Sequence, residues 1–146
     1  MNEINTPIYI AGISKVTSNE AAMTDNEIGK FWDMFSKAPI KEKLQNIISP
    51  SVFAVYSDYE NGHQGKYKLT IGYAVKDPNH IPDDLSAVTI PAGNYKGYKA
   101  KSLSPEDIVA VWQTIWATDV NALNRNYVAD FEEYRANEVV ISIGYE

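Results

Sequence analysis

The sequence predicts an α+β fold, in which duplicated strand-helix-strand-strand units form an antiparallel sheet with two main helices. Three observations carry this reading. Residues 24–36 align with 104–116 without a gap at an offset of 104 − 24 = 80, so that Thr24, Glu27, Ile28, Phe31, Trp32 and Phe35 stand over Ser104, Asp107, Ile108, Val111, Trp112 and Ile115. The same offset sets Ile8 and Ile10 over Val88 and Ile90. Each helix is then followed by two strand-like segments with turn residues between them. The expectation is one domain over residues 1–146 with pseudo-repeats at about 7–76 and 84–146. A seam between the two halves is the place to look for function.

The elements follow from local chemistry. Residues 7–12 and 87–92 alternate apolar and polar side chains with the period of a strand. In the first helix Thr24 stands at the N-cap position with Glu27 three residues on, the spacing of a capping box. In the second, Ser104 takes the cap and Pro105 the first helical turn, where its missing N–H costs nothing. Apolar residues then recur at spacings of three and four, so each helix buries one stripe carrying a tryptophan at the same depth. Strands over 51–56 and 66–75 flank Asn61, Gly62 and Gly65, which is hairpin chemistry, and strands over 128–134 and 138–145 flank Ala136 and Asn137.

Composition narrows the function classes. With 146 residues and 45% hydrophobic content the chain can bury a substantial core, and either half alone would be marginal. No apolar run approaches the roughly 20 residues of a membrane span, and residues 1–5 lack the basic and apolar regions of a signal peptide, so the expected location is cytoplasmic. The absence of cysteine removes thiolate catalysis and cysteine-ligated metals. A formal charge of −6 and a pI near 4.9 argue against nucleic acid as a direct partner, since phosphate contacts need clustered cations. Lys96, Lys99 and Lys101 read as the solvated face of a strand. An acidic field favours a cationic partner instead.

Phosphate loops, nucleophile elbows and paired histidines are missing from the sequence. His63 and His80 sit in turn-like settings and read as exposed loop residues, and Asp83 and Asp84 as a polar linker. No metal, cofactor or catalytic residue is indicated. What stands out is an aromatic set of ten tyrosines, four phenylalanines and three tryptophans. Tyr56 and Tyr73 fall on the strands of one half, Tyr134 and Tyr145 on those of the other. A core built for stability alone would use more leucine and isoleucine, because a buried Tyr hydroxyl needs a partner. Alternation in the strand 128–134 places Asp130, Glu132 and Tyr134 on one face and Ala129, Phe131 and Glu133 on the other. A carboxylate in a partly desolvated aromatic cavity is costly when empty and recovers that cost when a cation arrives. An edge strand with both glutamates in water fits the same spacing.

The order of segments resembles the GyrI-like effector-binding domain, which also forms the ligand-binding portion of AraC-type and MerR-type regulators. The residues that carry the resemblance are Val52 to Tyr56, Tyr67 with Ile71 to Tyr73, Ile90 to Tyr95, Val111 to Trp116, Asp130 to Tyr134, and Ile141 to Ile143. The resemblance implies a ligand cleft between the halves that takes lipophilic organic cations, and it maps the family's buried acid to Glu132. It departs from the family in its final strand, which ends Ile143, Gly144, Tyr145, Glu146, and in carrying no DNA-binding segment. The implied protein is a stand-alone small-molecule-binding domain, in the setting of transcription regulation or multidrug binding. Glu132 supplies charge complementarity, Tyr56, Tyr73, Tyr134 and Tyr95 wall the site, and Trp32, Trp112 and Trp116 add depth or packing. Two other readings remain open at the level of sequence. One is a GyrI-like hydrolase in which Glu132 acts as general base with Tyr134 or Tyr95. The other is a protein-interaction module.

Overall fold

The computed structural model describes residues 2–21, 26–60, 65–118 and 124–145. Eight strands lie in one antiparallel sheet: β1 (Asn2–Ile4), β2 (Ile8–Ser18), β3 (Ile47–Ser57), β4 (Lys66–Val75), β5 (Ser86–Ile90), β6 (Gly93–Lys99), β7 (Arg125–Tyr134) and β8 (Val139–Tyr145). Their spatial order is β1-β6-β8-β7-β3-β4-β2-β5. The helices that lie wholly within the described residues are α1 (Glu27–Lys37), the short α2 (Ile40–Lys43) and α3 (Pro105–Ala117).

Outward from the central β3–β7 pair the order reads the same in both directions, hairpin partner first and then the first strand of that half. β1 and β2 are joined by residues 5–7 alone, yet they lie towards opposite ends of the order, as do β5 and β6, joined by residues 91–92. The sheet therefore curls until its two ends approach. Ile8 and Ile10, set over Val88 and Ile90 by the sequence offset, prove to be cross-strand neighbours of Ile90 and Val88. The strand expected at 87–92 breaks at Pro91, which has no N–H to donate, and resumes as β6.

The curl creates two cores. On one face, side chains from both ends of the sheet meet, with Ile10, Phe53, Val55, Ile90, Tyr95 and Phe131 in a single apolar cluster. On the other face α1 and α3 cover the sheet. α1 buries Phe31 and Phe35, and α3 buries Ile108, Trp112 and Ile115, so each helix buries an apolar stripe as the spacing predicts, but the tryptophans do not reach the same depth, since Trp32 is half-buried where Trp112 is buried. Each such side chain taken from water contributes about 1.5–3 kcal/mol before chain entropy is counted. Gly12 and Gly72 are opposed where β2 meets β4, and a Cβ on Gly72 would lie 2.0 Å from the Ala11 carbonyl oxygen, so only glycine permits this approach.

The two helix starts differ more than their sequences suggest. Ser104 caps α3, its Oγ accepting from the Asp107 backbone N–H at 3.3 Å, with Pro105 in the first turn. Thr24 lies outside the described residues, as do Asn61, Gly62 and His63. The residue at the α1 N-cap is Asn26, in a left-handed conformation (φ 52°) and without a side-chain cap bond. Glu27, expected to complete a capping box, instead pairs with Lys15 at 3.0 Å and accepts from Thr17 at 3.1 Å. The 138–145 strand follows a turn closed by Arg135 N–H to the Glu138 carbonyl, as Ala136 and Asn137 predict. His80 is exposed in a loop, beside Asp77, and Asp84 forms an ion pair with Lys43.

Candidate functional site

The pleat of β7 turns Glu132 towards the helices together with Tyr134, and the pleat of β3 turns Val52, Ala54 and Tyr56 the same way. Register then sets Ala54 opposite Glu132, Tyr56 opposite Asp130 and Val52 opposite Tyr134. Tyr56 is thus the diagonal neighbour of Glu132, within reach of a long aromatic side chain. Its hydroxyl donates to Glu132 Oε2 at 3.0 Å, and Tyr134 donates to Oε1 at 2.6 Å. From above, the indole N–H of Trp112 on α3 donates to Oε2 at 2.6 Å.

The electrostatics follow from this enclosure. Glu132 is 2% exposed and accepts three hydrogen bonds, each from a neutral donor. Among the described residues no cation pairs with it. Burial, the largest influence, pushes its carboxyl above the usual range, and the bonds from Tyr134, Trp112 and Tyr56 offset part of that push. Burial and then the Glu132 charge push the Tyr56 and Tyr134 phenols upward in turn, so both remain protonated donors.

Aromatic rings wrap the carboxylate in two matching contacts. Trp32 of α1 meets Tyr134 edge-on, centroids 4.9 Å apart at 69°, and Trp112 of α3 meets Tyr56 edge-on at 5.2 Å and 70°. Each half of the chain sends its helix tryptophan onto the other half's strand tyrosine. Trp116 leans on Trp112 at 6.1 Å. Tyr73 stands further out, at 5.8 Å from Phe35, which itself touches Trp32. Five of the residues singled out in the sequence, Tyr56, Tyr134, Trp112, Trp32 and Trp116, therefore gather around Glu132 or its immediate cover, and Tyr73 borders them.

Tyr95 does not join them. Its ring packs on Phe131 in the other core, and its hydroxyl donates to the Pro91 carbonyl at 2.7 Å. A hydrolytic site pairing Glu132 with Tyr95 is thereby corrected, because β-strand alternation puts them on opposite faces of the sheet. Tyr95 lines a cavity of about 370 Å3 there, with Ile4, Ile8, Phe53, Phe131 and Arg135. The question of whether Glu132 or Glu133 turns to the helices is answered by the same alternation. Glu133 faces that cavity and pairs with Arg135 at 3.2 Å.

Two residues near the carboxylate lacked a sequence signal of function. Tyr67 is buried edge-on against Tyr56 at 5.5 Å and donates to Asn19 at 2.9 Å, and in the sequence it stood only among the residues that carry the family resemblance, with no role of its own. Asp130 is wholly buried against Arg125, a pairing produced by the irregular register of β7 between residues 125 and 130. Among the described residues no group of acids and histidines could hold a metal ion, and no helix is long and apolar enough to cross a membrane.

Comparison with known proteins agrees with this geometry. The family described as Cass2, integron-associated effector binding protein, matches residues 5–143. YobU of Bacillus subtilis (strain 168), whose name carries the words transcriptional regulator, is 32% identical over 133 residues, covering 89% of this chain and 82% of that protein. Among solved structures, the integron cassette protein VCH_CASS2 from the mobile metagenome of Vibrio cholerae superposes with a TM-score of 0.81 at 23% identity, over 99% of this chain and 94% of the other. SAV2435, solved bound to tetraphenylphosphonium, superposes with a TM-score of 0.78 at 13% identity, over 100% of this chain and 94% of the other.

Proposed function

The chain belongs to the integron-associated effector binding protein family, and from that membership we propose that it binds a bulky, mostly apolar organic monocation at Glu132. The observation that carries the reading is a carboxylate buried with three neutral donors and no cation. Such a group holds its charge at a desolvation cost that a ligand cation offsets. Tyr56, Tyr134 and Trp112 form the inner wall, Trp32, Trp116 and Tyr73 the outer one. Ring faces add cation–π attraction of about 0.5–2 kcal/mol each. Tetraphenylphosphonium, the cation held by SAV2435, is a suitable probe because its charge is shielded by aromatic surface.

Entry requires the indole cover to part. Trp32 and Trp116 are half-buried, so the cover reaches the protein surface, and Trp112 beneath them is the group that must move from the carboxylate. In the proposed role the protein senses or sequesters an amphipathic cation, in the setting of regulation that the name of YobU suggests. Titration of tryptophan fluorescence with tetraphenylphosphonium tests this. Binding is expected in the wild type and at least about tenfold weaker in Glu132→Gln, the loss of one partly desolvated charge pair. Equal affinity in the two proteins would overturn the role of Glu132.

A further inference from the structure

Two residues before Glu132 on the same strand face stands a second buried acid with the same kind of surroundings. Asp130 Oδ2 accepts from the Tyr59 hydroxyl, and Oδ1 accepts from the Gly144 backbone N–H at 2.9 Å. Unlike Glu132 it has a cation. The Arg125 guanidinium donates to Oδ2 at 2.7 Å, with side-chain exposures of 4% for Arg125 and 0% for Asp130. The guanidinium lies over the Tyr127 ring, 4.3 Å from its centroid, and Tyr127 packs edge-on against Tyr59 at 5.5 Å. Buried acid, phenol donor, ring face and cation are all present there, and only the cation is lacking at Glu132.

The backbone is distorted to achieve this. The pairing of β7 with β8 is irregular between Arg125 and Asp130, and Tyr127 adopts φ 53°, a left-handed conformation that an aromatic residue rarely takes. A strand continuing regularly from Asp130 would carry Arg125, an odd number of residues away, to the opposite face. The bulge brings it back. Rings link the two acids without a break, from Tyr127 through Tyr59 and Tyr67 to Tyr56, whose hydroxyl reaches Glu132.

We propose that Arg125 is a specificity-determining residue that occupies, from within the chain, a second cation pocket at Asp130 and so limits the site to monocations. The inference rests on the proposed cation site at Glu132. With Arg125 in place the two acids and one guanidinium sum to one negative charge, which a monocation neutralises. A dication would leave an excess positive charge in a buried site. Without Arg125 the two carboxylates, carried on Cα atoms roughly 6.6 Å apart along the strand, present two negative charges with aromatic walls between them.

Calorimetric titration of the wild type, Arg125→Gln and the double variant Arg125→Gln/Asp130→Asn, with tetraphenylphosphonium and with a flat bis-quaternary aromatic dication of matching charge spacing, tests the inference. The wild type should bind the dication no more tightly than the monocation. Arg125→Gln should bind the dication at least about tenfold more tightly than the wild type does, a modest share of the attraction of a second charge at this spacing. The double variant should lose that gain. If Arg125→Gln folds only with ligand, recovery of folding by the dication, and not by tetraphenylphosphonium, supports the inference. No gain in dication affinity, or no recovery, overturns it. A wild type that ignores tetraphenylphosphonium would instead remove the reading of Glu132, while the dication arm still reports on the Asp130 pocket.

Discussion

Ala54 stands directly opposite Glu132 where β3 pairs with β7. The pair sits at the centre of the mirrored strand order, with Tyr56 of one half and Tyr134 of the other both donating to the carboxylate. Around this centre the halves match, tryptophan against tyrosine, at 4.9 and 5.2 Å. The aromatic wall therefore comes from both halves. The asymmetry is concentrated in one pair, a methyl group facing a carboxylate. The small side chain leaves the space beside Glu132 in which two phenols and an indole converge.

That space is testable through Ala54 itself, which is fully buried. Ala54→Leu adds three heavy atoms against the converging rings and is expected to cost about 1–3 kcal/mol in urea denaturation, the usual range for overpacking. It should also weaken tetraphenylphosphonium binding more than the stability loss accounts for. Unchanged affinity in a folded Ala54→Leu protein would mean that the ligand does not approach Glu132 from this side.

Trp112→Phe keeps a ring over Tyr56 but removes the N–H that reaches Oε2 at 2.6 Å. A buried carboxylate that loses one of its donors is expected to destabilise the fold by about 1–3 kcal/mol. The same loss should raise the pH at which the cation begins to bind, because a donor that favoured the ionised carboxyl has gone. A smaller ring alone would lower stability without moving that pH.

Much of this arrangement is legible in the sequence, and the exceptions have physical reasons. Period-two alternation was enough to put Glu132 with Tyr134 and Glu133 with Phe131, and helical spacing was enough to bury Trp112. Tyr95 was out of reach of such reasoning, since its face depends on how β6 resumes after Pro91. Arg125 was hidden by a bulge that no periodicity records. The Ser104 cap was readable because Pro105 and Asp107 reinforce it locally, whereas Asn26 takes the α1 cap by adopting a backbone conformation that the hydroxyl rule does not anticipate.

The two caps predict opposite responses to substitution. Ser104→Ala removes the acceptor of the Asp107 N–H and should cost about 1 kcal/mol in thermal or urea unfolding. Asn26→Gly should be neutral or slightly stabilising, because Asn26 makes no side-chain cap bond and glycine adopts φ 52° without strain. A loss at Asn26→Gly as large as that at Ser104→Ala would show that the asparagine side chain contributes to the helix start.

Proton linkage separates the cost of the empty site from its use. Burial holds the Glu132 carboxyl above its usual value of 4.5, so the folded state binds this proton more tightly than the unfolded chain. The resulting stabilisation is fully present below about 4.5 and is lost as pH rises through the folded value. Glu27, Asp77, Asp84 and Glu138, held low chiefly by Lys15, the Asn79 backbone, Lys43 and Lys99, act in the opposite sense as pH falls. Comparing the wild type with Glu132→Gln cancels those contributions. The difference in melting temperature between the two is expected to turn against the wild type as pH rises from about 4 to 8, since only the wild type must then hold a buried charge. Tetraphenylphosphonium affinity should rise over the same interval, because the cation needs the ionised carboxylate. A flat stability difference together with flat affinity would mean that Glu132 keeps one protonation state throughout this interval, against the upward push that burial gives its carboxyl.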